Sequence, residues 1–86
     1  MAVRVEKAAD AQKEAFEGLR EQYRESGTIE WFYDEKTVCL LTEGRAVIEH
    51  YGERTPVEAG DLVTFPQGIR CRWEILEPMR VRSKPL

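Results

Sequence analysis

Gly60-Asp-Leu-Val-Thr-Phe-Pro-Gln-Gly-Ile-Arg-Cys-Arg-Trp73 decides the reading of this chain, because it sets a turn, a buried strand, a second turn and an alternating strand in one run. Gly60 before Asp61 suits a tight turn that needs a permissive backbone, with Asp61 placed to bond nearby backbone N–H groups. Leu62 to Phe65 is a short apolar strand, and Pro66-Gln67-Gly68 closes it. In the strand that follows, Cys71, Trp73 and Ile75 share one face while Arg70, Arg72 and Glu74 share the other. That alternation aims Cys71 and Trp73 inward.

The same logic extends upstream. Ile29, Trp31 and Tyr33 lie on one side of an alternating run that ends at Asp34-Glu35-Lys36. Thr37, Cys39 and Leu41 share a face of the next strand, a turn is expected at Glu43-Gly44, and Ala46, Ile48 and His50 form a further inward row. Strands of four to seven residues separated by Gly, Asp and Pro turns indicate a small antiparallel barrel or sandwich. The lumen expected from these rows is aromatic and sulfur-bearing, lined by Trp31, Tyr33, Cys39, Phe65, Cys71 and Trp73.

The N-terminal third reads differently. Residues 2–6 alternate as a short strand. From Ala8, helix formers with Ala8, Ala11, Ala15 and Leu19 at three- to four-residue spacing predict a helix over Ala11 to Gly18, with Asp10 as its cap. Beyond Gly18, residues Leu19, Glu21, Tyr23 and Glu25 also fit a period of two. Such a segment is expected to cover an open barrel end or sheet edge, or to meet a second copy of the chain.

At 86 residues the chain makes one domain, able to bury about 60 to 65% of its unfolded surface. Residues 1–27 are assigned to the N-terminal strand and helix and 28–82 to the barrel. Hydrophobic content of 42% with 34% charged residues describes a globular protein. No apolar run approaches the ~20 residues of a membrane span. The N-terminus lacks the pattern of a signal peptide, so a cytoplasmic location is expected. A net charge of -3 argues against a nucleic-acid partner. Two cysteines are too few and too far apart for a zinc ribbon or disulfide framework, and in a reducing compartment they are expected as thiols.

Gly60, Pro66 and Gly68 fall at the spacing of the cupin second motif, G-x5-P-x-G-x2-H-x3-N, with Cys71 at the histidine. Counting back from Gly44, the first motif places its glutamate at Thr37 and its histidines at Tyr33 and Trp31. The chain thus resembles the short single-domain bacterial cupins related to the ureidoglycine aminohydrolase cupin domain, well over residues 28–82 and loosely over 3–18. The resemblance implies an all-β fold, a cupin-type double-stranded β-helix preceded by one α-helix, and a homodimer. It also implies where a metal would sit, held by three His and one Glu. All four positions carry other residues here, so neither a metal nor a cofactor is expected.

Each candidate residue has two readings. Cys39 and Cys71 are core-filling thiols or, if a base lies near, a nucleophile or redox sensor. Trp31, Tyr33 and Trp73 are core or the wall of a small-molecule pocket. His50 reads as a surface or rim histidine. Two functions follow. The preferred one is metal-free binding of an unidentified small molecule, by a sensor or accessory protein. The alternative is an enzyme acting on a nitrogenous or carboxylate metabolite, through a metal or thiol site.

Overall fold

The computed structural model describes residues 3–86. Seven strands and one short helix follow in the order β1 (Arg4–Lys7), α1 (Asp10–Glu14), β2 (Gln22–Arg24), β3 (Gly27–Tyr33), β4 (Thr37–His50), β5 (Glu53–Glu58), β6 (Asp61–Phe65) and β7 (Ile69–Pro85). All strand pairs are antiparallel. The architecture is the all-β cupin barrel.

Two long strands define it. β4 has 14 residues and β7 has 17, and they pair with each other along nearly their whole length. Both bend midway and so belong to two layers. In one layer the order is β1, β6, the first half of β4, the second half of β7, then β2. In the other it is β5, the second half of β4, the first half of β7, then β3. Side chains between the layers make the main core, including Leu41, Ile48, Val63, Phe65, Ile69, Cys71 and Trp73.

The bend explains a correction. Glu43-Gly44 is not a turn between strands; β4 runs through it, with register shifts from Leu41 to Ala46. Gly44 has φ +92°, and a Cβ there would overlap the Pro78 carbonyl and lie 2.7 Å from the Met79 Cα. A glycine in this conformation lets β4 cross β7 at close range through a bulge, where any larger residue would push the strands apart. The turns at Gly60 and Gly68 are present: Gly60 N–H donates to the Leu41 carbonyl at 2.9 Å, and Gly68 N–H to the Tyr33 carbonyl at 2.7 Å. Asp61 Oδ2 accepts the Glu58 N–H at 2.8 Å.

The N-terminal third departs further from its sequence pattern. Of the strand expected over 2–6, Ala2 lies outside the described residues, and the strand runs Arg4–Lys7 against β6. The helix is only Asp10–Glu14, with Ala9 rather than Asp10 at its N-cap. Gln12 Oε1 accepts the Ala9 N–H at 2.7 Å. A run of turns replaces the rest of the expected helix, ending at Gly18 with φ +82°. The period of two beyond it is realised as β2. Phe16, 2% exposed, is the reason the segment stays on the barrel: it packs on Val38, Leu40 and Leu62, the outward faces of β4 and β6. Lys84 Nζ lies 4.9 Å from its ring centroid, and Arg82 Nη1 donates to its carbonyl at 3.2 Å.

Candidate functional site

Strand alternation places the inward rows as the sequence implies. Ile29, Trp31 and Tyr33 on β3 stand opposite Trp73, Cys71 and Ile69 on β7. Tyr33, Cys39, Phe65, Cys71 and Trp73 all belong to the buried core cluster. Phe65 reaches across from the opposite layer and stacks on Tyr33, with ring centroids 4.0 Å apart and planes 10° from parallel; it meets Trp73 at 5.7 Å. The Trp73 indole N–H donates to the Tyr33 hydroxyl at 3.0 Å. Both polar ends of these large side chains are thereby used within the core, as burial requires.

Beside this cluster a cavity of about 270 Å³ opens between the layers, on the side where β2 and β3 form the sheet edges. Trp31, Tyr33, Cys39 and Trp73 line it. Trp31 is 49% exposed and stands at the mouth, whereas Tyr33 is 8% exposed and forms the inner wall. Phe65 and Cys71, at 0% and 1%, lie behind that wall in the packed core. The six expected lining residues thus divide into four at the cavity and two behind it.

The remaining lining comes from residues outside that set of six. Gln22 and Arg24 of β2 sit opposite Val81 and Met79 of β7, so all four share the inner face. Thr37 and Ser83 add hydroxyls, and Asp34 and Glu35 border the mouth from the turn after Tyr33. Thr37 Oγ1 donates to the Glu35 carbonyl at 2.9 Å, which ties that turn to β4. Gln22 and Arg24 were legible only through the period of two after Gly18.

The chemistry of the buried groups is set by desolvation. Burial holds the Cys39 thiol up to about 12 and Cys71 up to about 11. Both cysteines are free. Burial also raises the Tyr33 phenol far above its usual value, with the neighbouring Cys39 adding to the effect; the Trp73 hydrogen bond and the Arg24 charge oppose it only in part. His50 is not on the rim: it is 5% exposed, at the end of β4, with Nε2 3.6 Å from Glu53 Oε2 and Nδ1 without a partner among the described residues.

The positions where the cupin motifs place metal ligands hold Trp31, Tyr33, Thr37 and Cys71. A phenol and a thiol kept protonated by burial, a hydroxyl donating to a carbonyl and an indole do not fit a divalent cation. Among the described residues no group of three His, Cys, Asp or Glu converges as a metal site, and no helix is long and apolar enough to cross a membrane.

Residues 24–84 match the sequence profile of the EutQ-like cupin domain. Among solved structures, a DUF861-family protein from Thermotoga maritima superposes with a TM-score of 0.91 at 33% identity, covering 99% of this chain and 100% of that one. A putative ethanolamine utilization protein Q (EutQ) from Salmonella typhimurium gives 0.69 at 17% identity, over 96% of this chain and 68% of that one. The Clostridium difficile EutQ protein gives 0.69 at 15% identity, over 94% and 64%. These two likenesses speak for the fold alone. No curated protein matches.

Proposed function

Because the chain belongs to the EutQ-like cupin domain family, and carries aromatic and thiol groups where a metal would be ligated, we propose that it is a metal-independent receptor for a small molecule bound between the two layers. The observation that carries this reading is the cavity itself. At about 270 Å³ it is slightly below the ~300 Å³ lower end of ligand pockets, a size for a metabolite. Apolar walls from Ile29, Trp31, Trp73, Met79 and Val81 give such a ligand a surface to pack on, and the seven polar or charged residues among the sixteen that line the cavity make it more polar than most such sites. A sensor or accessory role, in a cytoplasmic homodimer, belongs to the same proposal.

The competing reading is an enzyme acting on a nitrogenous or carboxylate metabolite, in line with the resemblance to the ureidoglycine aminohydrolases. Cys39 is the nucleophile it would use, since that thiol lines the cavity. Burial works against this, because a thiol held up to about 12 supplies almost no thiolate at neutral pH. Titration of chelator-treated protein against a broad metabolite panel, read by melting temperature and tryptophan fluorescence, separates the cases. A saturable response without turnover supports the receptor. A panel that leaves both signals unchanged removes it, and ligand consumption favours the enzyme.

A further inference from the structure

We infer that the cavity takes a small aromatic carboxylate, its ring against Trp31 and Tyr33 and its carboxylate on Arg24; this rests on the receptor reading above. Arg24 is paired with Met79, a residue 2% exposed on the inner face, so the arginine side chain is directed to the cavity it lines. It is itself half-buried. Arg4, Arg45, Arg54, Arg72, Arg80 and Arg82 each meet a carboxylate. Arg20, Arg24 and Arg70 meet none among the described residues; Arg20 and Arg70 are exposed, and of the three only Arg24 lines the cavity.

A guanidinium has no acceptor role and cannot shed its charge in a protein. Partly withdrawn from water without a carboxylate partner, it offers a planar fork of donors to an anion, and a carboxylate fits that fork through two parallel hydrogen bonds. Asp34 and Glu35 stand at the turn between β3 and β4 on the same mouth. Their charges repel an anion from that side and leave β2 as its place. The rest of the molecule then meets the aromatic wall. Lys84 also borders the cavity, but its ammonium lies over Phe16 on the outside of the barrel.

Benzoate, benzamide and benzylamine share a ring and differ in charge, so they serve as probes in calorimetric titrations. Benzoate is expected to bind the wild type most tightly. Arg24→Gln should weaken benzoate by about tenfold or more while leaving benzamide nearly unchanged, because only the charged partner loses its ionic hydrogen bonds. Arg24→Lys keeps the charge and should retain part of the affinity, which separates ligand binding from any folding defect. Benzamide or benzylamine binding as tightly as benzoate, or Arg24→Gln binding benzoate like the wild type, overturns the carboxylate and leaves the receptor standing. If none of the three binds, this inference falls; the receptor reading falls with it only if the metabolite panel is also silent.

Discussion

The indole N–H of Trp73 donates to the hydroxyl of Tyr33 at 3.0 Å, joining residues 40 apart in sequence on neighbouring strands. The bond is buried, and Phe65 packs against both rings. It fixes the inner wall of the cavity in one arrangement. Removing the acceptor leaves a buried donor without a partner, so Tyr33→Phe should lower unfolding free energy by about 1 to 3 kcal/mol. Urea denaturation measures this. A cycle with Trp73→Phe should be non-additive, the double variant losing less than the sum of the singles. Strict additivity would deny the coupling.

Phe65→Ala should cost about 3 to 5 kcal/mol, the range for truncating a fully buried aromatic. Phe65 is 0% exposed and brings the two layers together through Tyr33 and Trp73. In a domain this small that is a large share of the ~5 to 15 kcal/mol usually available. A melting temperature close to wild type would place the core elsewhere.

Two glycine replacements separate backbone conformation from crowding. Gly52 has φ +81° with open space around it, so Gly52→Ala should cost only the left-handed penalty of about 1 to 2 kcal/mol. Gly44 has a similar φ, but an added Cβ runs into the backbone of Pro78 and Met79. Gly44→Ala should therefore be clearly worse than Gly52→Ala in thermal unfolding. Equal losses would mean that the strand crossing has slack.

The thiols give a pH dependence. Their folded-state pKa values are about 12 for Cys39 and 11 for Cys71, against an ordinary 9.0. Below pH 9 both states are protonated and the stabilisation is complete. Above it the unfolded chain gives up protons first, so stability falls as pH rises towards 11 to 12. Replacing both cysteines with alanine should lessen that alkaline decline, the buried Tyr33 phenol, also raised by burial, keeping a share of it. Iodoacetamide should leave the native wild type unmodified at neutral pH.

Much of the barrel was legible because a strand repeats every two residues. The inward rows of β3, the first half of β4 and β7 follow from alternation, and the Gly60 and Pro66-Gly68 turns from their residues. Alternation alone misread β4 at Gly44, because a bulge is set by contact with Pro78 and Met79 far along the chain. It also did not foresee Val38 and Leu40 as buried; they face outward and are covered by Phe16. The helix beyond Glu14 lost to that same packing. At the site, Trp31, Tyr33, Cys39 and Trp73 were found by facing direction. Arg24 was hidden in a segment where helix and strand periods compete, and Cys71 faces inward but lies too deep to reach the cavity.

The most direct test follows the tryptophan indole N–H signals of chelator-treated protein by NMR during a benzoate titration. The chain has two tryptophans, Trp31 at the cavity mouth and Trp73 on its wall. The Trp31 signal, assigned by Trp31→Phe, is expected to move saturably, to the same extent whether or not a divalent metal is added back. Signals that stay fixed throughout, or that move only once metal is restored, would contradict a metal-independent cavity that binds small carboxylates.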